Sequence, residues 1–294
     1  MGAGAALAAN RTEISYIDVT PDITLRRMVA GSGNPQGTIL FLHGFPETVL
    51  VWKRIATELA ADYEVHAIDW PGYGLSSRPT SSKFSYSPRD YADILTAYIK
   101  AARIDRSKLT IYATDIGSLP ALLAALDDPD IAGKIIVGDF APFNRPSYMY
   151  ETLQNLKSEP AATKTRAYMN ETSTEILANT YRRGLPVEKQ FDLPADVLKD
   201  MTEGWSHGEI TSADAFYYYY SHFTRDQDYL EAHLADLKTP VKVVWGENDF
   251  YIKKAMGEEL AERIRAPLTV LPGVGHYPHL QTPHGTVAEI RGAN

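Results

Sequence analysis

The 294-residue chain contains no cysteine, which excludes disulfides and thiolate-ligated metal sites. No apolar run approaches the ~20 residues that a membrane-spanning helix requires. Basic residues are in deficit: 29 Lys and Arg stand against 37 Asp and Glu, a formal net charge of −8. Nucleic acid and anionic membrane surfaces attract basic patches, so neither is expected as a partner. There is no internal repeat or low-complexity tract, and no glycine-rich phosphate loop follows a strand at the required spacing. The opening Met1-Gly-Ala-Gly-Ala-Ala-Leu-Ala-Ala lacks the positive n-region and the length of a secretory signal. It reads as a flexible tail, and a cytoplasmic location is the default expectation.

What is present is an ordinary globular composition, 44% hydrophobic and 22% charged, long enough for one large core with an insertion. Apolar runs of four to six residues alternate with longer amphipathic stretches, which predicts βαβ units and a mainly parallel sheet. Helical spacing covers 51–61 and 88–102, the second opening with a Ser87-Pro88 start signal, and 119–125. A strand is expected over 134–138. From about Phe143 to Ala235 strand chemistry disappears and tyrosines crowd in, including Tyr217 to Tyr220; strands return at Val241. The expected division is a core of 1–142 with 236–294, interrupted by a helical cap at 143–235.

The chemistry centres on Ala113-Thr114-Asp115-Ile116-Gly117, which follows the apolar run from Leu109 to Tyr112. Small residues flanking a central nucleophile suit a sharp strand-to-helix turn that projects one side chain. Here that side chain is a carboxylate. Attack by a carboxylate on an acyl carbon would give only a reactive anhydride. Attack on a saturated carbon bearing a leaving group gives a stable ester that water can cleave, so Asp115 points to alkyl transfer followed by hydrolysis.

Three further segments complete the pattern. His43-Gly44-Phe45-Pro46-Glu47 ends a β-branched and aromatic strand, Gly246-Glu247-Asn248-Asp249 ends a strand in an acid, and Gly273-Val274-Gly275-His276 ends one in a histidine. The order nucleophile, acid, histidine resembles that of the α/β-hydrolase superfamily over nearly the whole chain. The resemblance implies a mainly parallel eight-stranded sheet with helices on both faces and an inserted cap. It makes His276 the base, with His279 and His284 as less favoured loop histidines. The acid that orients it is Asp249 or, at the end of the preceding strand, Asp139, with Asp249 favoured. The Phe45 and Ile116 N–H groups would form the oxyanion hole.

Within the superfamily the aspartate nucleophile resembles that of epoxide hydrolases and of haloalkane and haloacetate dehalogenases. Haloalkane dehalogenases place side-chain N–H donors where this chain has Ile116 and Phe45. Fluoroacetate dehalogenases place arginines where it has Ile116 and Leu119. Epoxide hydrolases use cap tyrosines to protonate the opening oxygen. Phe216-Tyr217-Tyr218-Tyr219-Tyr220 resembles their Phe-x-Tyr-Tyr-Arg motif, which makes Tyr219 the acid and Tyr150 its candidate partner, with His207 and His222 as substitutes. The implied activity is epoxide hydrolysis on a small apolar epoxide or related electrophile, without metal or cofactor; a homodimer is compatible with it. The alternatives are a dehalogenase, with Trp205 contributing to a halide site, and a non-catalytic hydrolase-like binding protein.

Overall fold

The computed structural model describes residues 12–31 and 35–292; the alanine-rich opening, read above as a flexible tail, lies outside them. Eight strands form one sheet: β1 (Glu13–Thr20), β2 (Ile23–Ala30), β3 (Thr38–Leu42), β4 (Glu64–Ile68), β5 (Leu109–Thr114), β6 (Lys134–Gly138), β7 (Val241–Gly246) and β8 (Leu268–Leu271). Their order is β1-β2-β4-β3-β5-β6-β7-β8. β1 and β2 join as antiparallel strands, and every pairing from β4 to β8 is parallel. The central strands are covered on both faces, so they carry near-continuous apolar runs: all of β3 is buried, and so are Ile111 to Thr114 of β5. β1, at the edge, alternates exposed and half-buried positions.

Helices α1 (Lys53–Leu59), α2 (Pro88–Ala101) and α3 (Ser118–Asp127) fill crossovers of the parallel sheet. The Ser87 side chain accepts the N–H of Asp90 and Pro88 occupies the first turn, which is why α2 starts where the sequence signals it. The helix expected over 51–61 begins instead as a 3₁₀ turn, Val49–Trp52. That turn brings the Trp52 ring into stacking contact with Phe41, centroids 4.5 Å apart, beneath the sheet.

Between β6 and β7 lie α4 (Glu151–Asn155), α5 (Ala161–Glu171), α6 (Ser173–Asn179), α7 (Ala195–Trp205) and α8 (Ser212–His233), the last opened by a capping box of Thr211 and Asp214. We call this excursion the cap. A buried ion network ties it to the sheet. Arg26 of β2 gives its Nε to Asp69 at 2.5 Å and both terminal nitrogens to Asp200 of α7 at 2.7 Å, and the Thr48 hydroxyl also donates to Asp200. After β7 comes α9 (Ala255–Ile264); after β8 come α10 (Pro278–Gln281) and α11 (Pro283–Arg291). No helix among the described residues is long and apolar enough to cross a membrane.

Candidate active site

Parallel strands present their carboxyl ends on one edge of the sheet, and the candidate residues collect there. Asp115 follows β5, the His43–Glu47 loop follows β3, Asp139 follows β6, Asp249 follows β7 and His276 follows β8. Asp115 takes a left-handed conformation, φ +48°, which costs a non-glycine residue energy and aims its side chain out of the turn. The turn is tight enough that a Cβ on Gly44 would sit 2.6 Å from the Asp115 Cβ. Only glycine lets the two loops approach this closely.

One carboxylate oxygen of Asp115 is pinned. Its Oδ2 accepts the Phe45 N–H at 2.7 Å, and the Ile116 N–H also donates to the carboxylate. The Oδ1 atom faces His276, whose Nε2 lies 3.8 Å away. The opposite ring nitrogen, Nδ1, is 2.8 Å from Asp249 Oδ2. Asp249 Oδ1 accepts the N–H groups of Tyr251 and Ile252 at 2.8 and 3.0 Å, which fixes the carboxylate. Asp139 does not hydrogen-bond to His276; its Oδ1 accepts the Gly246 N–H at 2.9 Å, and the carboxyl packs against Asp249.

Burial pushes the Asp115 carboxyl up to about 6, only partly offset by His276 and the Phe45 N–H. Burial alone would lower the His276 imidazole. The Asp249 carboxylate, with Asp115 further off, outweighs that effect and raises it to about 10.

A cavity of about 210 Å³ opens above Asp115. Its floor is Asp115, Phe45, His276 and Tyr277, and its cap wall includes Tyr150, Leu153, Ile176, Arg183 and Phe216. Tyr150 thus reaches the same cavity as the nucleophile, and Arg183 Nη1 lies 3.4 Å from its hydroxyl. Tyr219 does not line the cavity. Its ring is buried among Tyr91, Tyr220 and Phe223, and its hydroxyl donates to the Ile116 carbonyl at 3.1 Å. Tyr219 and Tyr220 lie three and four residues beyond Phe216, on the same face of α8, and Phe216, one turn nearer the helix start, is the residue of that face that lines the cavity. His207 lines a separate surface hollow beside Arg78, and His222 is not among the cavity residues. Trp205 stands edge-on to Phe45, centroids 5.7 Å apart, behind the cavity wall.

One pair escaped the sequence reading. Glu47 and His279, both wholly buried, meet at 2.6 Å. Glu47 also accepts the Gly44 N–H at 2.9 Å, so the pair braces the loop that carries the Phe45 donor. Burial would raise the Glu47 carboxyl, but His279 and the Gly44 N–H hold it below the usual range. The signal was Glu47 itself, an ionisable residue one position beyond a Phe-Pro turn at the end of a buried strand. His279 stacks on Trp52 rather than facing solvent as a loop histidine would.

Comparison with known proteins identifies the family. The model of the alpha/beta hydrolase family matches residues 39–290, and the chain belongs to that family. It is a hydrolase. Over 277 residues it is 25% identical to epoxide hydrolase 3 of Mus musculus, covering 87% of this chain and 69% of that protein. Over 123 residues it is 34% identical to a fluoroacetate dehalogenase of a Burkholderia species, covering 41% of this chain and 39% of that protein. The crystal structure of haloalkane dehalogenase DbeA from Bradyrhizobium elkani has the same fold, with TM-score 0.73 and 19% identity over 97% of this chain and 100% of that one.

Proposed function

We propose that the protein is an epoxide hydrolase that works through a covalent ester on Asp115. The observation that carries this reading is the aspartate itself: a strained elbow presents a carboxylate with one oxygen pinned by Phe45 N–H and the other free toward the cavity. Asp115 Oδ1 attacks a ring carbon as the carbon–oxygen bond opens, and Tyr150 gives its proton to the departing oxygen. The guanidinium of Arg183 has no lone pair to offer, so at Tyr150 it can only donate. The phenolic hydrogen is left for the substrate. His276 then takes a proton from water, the hydroxide adds to the Asp115 carbonyl carbon, and the N–H groups of Phe45 and Ile116 hold the resulting oxyanion. Collapse breaks the acyl–oxygen bond, the alkoxide takes the proton of the new carboxylic acid, and the proton held by His276 returns to the Tyr150 phenolate through water, which leaves a diol, the free carboxylate and both groups reset. Asp249 fixes the imidazole tautomer, and Tyr219 holds the carbonyl of Ile116, the residue whose N–H serves the nucleophile. The cap, 143–235, supplies Tyr150 and closes the site over a small, mainly apolar substrate.

Dehalogenation is the second reading. The fluoroacetate dehalogenase relative favours it, and so does Arg183, a cavity cation suited to a substrate carboxylate. Against a haloalkane, the side chains at Phe45 and Ile116 offer no N–H, and Trp205 is not a cavity residue. Panels of small epoxides, bromoalkanes and haloacetates separate the readings, with diol formation and halide release followed together. Diol from epoxides is the expected result; halide release with no epoxide turnover would overturn the proposal.

A further inference from the structure

The reaction above leaves unused a buried carboxyl that stands beside Asp249 and His276. Asp139 ends β6 in a left-handed conformation, φ +51°, and is 1% exposed. A non-glycine residue held this way carries strain that surrounding contacts must stabilise. Its Oδ1 accepts the Gly246 N–H, and Asp139, Asp249 and His276 each bring a polar atom within 4.8 Å of the others. Asp249 takes two backbone N–H groups on one oxygen and only His276 on the other, so that second oxygen has a lone pair to spare. The groups that face Asp139 are Asp249, His276 and the buried phenol of Tyr112. No Lys or Arg stands among them. Two unscreened carboxylates this close cannot both ionise when the single imidazole is already shared with Asp249 and Asp115.

We propose that Asp139 keeps its proton in the resting protein and donates it to Asp249, which makes Asp139 a positioning residue that sets the base strength of His276. Burial and the neighbouring Asp249 charge push the Asp139 carboxyl well above the carboxylate range, in the same direction. The donated hydrogen bond draws charge off Asp249, so the imidazolium is held less tightly. Without it, His276 stays protonated to higher pH and is available as a base over a narrower window. Protonation is a property of the resting protein; only the kinetic consequence rests on the ester mechanism proposed above.

Infrared difference spectra of the substrate-free protein against Asp139→Asn test the first part. A carboxylic-acid carbonyl band at neutral pH that disappears in the variant is expected; no such band would overturn the inference, whatever the substrate proves to be. Single-turnover ester hydrolysis against pH tests the second. Asp139→Ala should move the acid limb upward by roughly one pH unit, the scale at which such groups couple. Asp139→Asn can accept from Gly246 and donate to Asp249 without ionising, so it should bring the limb back toward wild type. Should Asp139→Ala fail to fold, Asp139→Gly, which suits the left-handed backbone and carries no donor, serves in its place. A downward shift in Asp139→Asn would mean that an ionised carboxylate had been lost, and no shift in either variant would mean that the contact does not act on His276. Either result overturns the proposal. Absence of epoxide turnover beside an intact infrared band would instead overturn the epoxide reading alone.

Discussion

His276 Nε2 stands 3.8 Å from Asp115 Oδ1, beyond hydrogen-bond reach, while its Nδ1 is held 2.8 Å from Asp249. On the mechanism proposed above, His276 acts only in the second step, where it takes its proton from a water that attacks the ester and not from Asp115, and the separation suits that role. His276→Gln should therefore form the ester and fail to cleave it. Intact-mass spectrometry with an epoxide should show an adduct of one substrate mass, absent in Asp115→Asn. An adduct that survives the aspartate change would place the nucleophile elsewhere.

Asp249 is the only carboxylate that hydrogen-bonds to His276 among the described residues. Asp249→Asn should keep the shape but favour the wrong imidazole tautomer, lowering turnover by about 10⁴-fold, as for loss of the orienting acid in a triad. A loss below tenfold would move the orienting role to another group.

The pH dependence follows from two neighbours that titrate against each other. Asp115 is raised to about 6, so its reactive carboxylate form is lost as pH falls through that value. Ester formation, read as kcat/KM, should rise with pH and level off above about 6; a limb near 4 would show that burial does not act on Asp115 as described. His276 is held near 10 partly by the Asp115 charge. Esterification removes that charge, so the imidazole should lose its proton more readily in the intermediate. Single-turnover hydrolysis should have its acid limb well below 10.

Much of this site was legible in the residues. Each parallel strand ends in a functional loop, and Asp115, Asp249, His276 and the Phe45 loop were found because strand and motif coincide at one point in the chain. The central strands were equally plain, since burial on both faces writes continuous apolar runs. The cap was harder. Tyr219 and Tyr150 were chosen by motif resemblance, yet which turn of α8 reaches the cavity depends on how the helix sits on the sheet, and that is fixed by distant contacts such as Phe216 on Phe45. The Glu47–His279 pair joins residues 232 positions apart. Nothing local to either residue announces the other.

The clamp between cap and core gives a stability prediction. Asp200→Ala leaves the terminal nitrogens of buried Arg26 and the Thr48 hydroxyl without their acceptor, while Asp69 still holds Arg26 Nε. Breaking a buried pair from one side costs about 3–5 kcal/mol, and the surviving Asp69 contact puts this case at the low end. Urea unfolding should show that loss as a lower midpoint. A change under ~1 kcal/mol would mean that the network is effectively open to water.

The two cap tyrosines should separate cleanly, because their hydroxyls do different work. Tyr150 lines the cavity, so on the mechanism proposed above Tyr150→Phe removes the acid that epoxide opening needs. A positioned acid contributes roughly 10²–10⁴-fold, and ester formation from epoxides should slow by that much. Ester cleavage should be nearly unchanged, since it depends on His276 and the Phe45 and Ile116 N–H groups. Displacement of bromide should be less sensitive, because a halide leaves without a proton. Tyr219→Phe removes a buried hydrogen bond to the Ile116 carbonyl, a loss of about 1 kcal/mol of stability. Its effect on rate should be smaller and should fall on both chemical steps, because Ile116 serves the carboxylate in the first and the oxyanion in the second. If Tyr219→Phe instead slows ester formation alone by 10²-fold or more while Tyr150→Phe is silent, the Tyr219 hydroxyl must swing from Ile116 to the substrate oxygen during turnover. In that event the acid role returns to Tyr219.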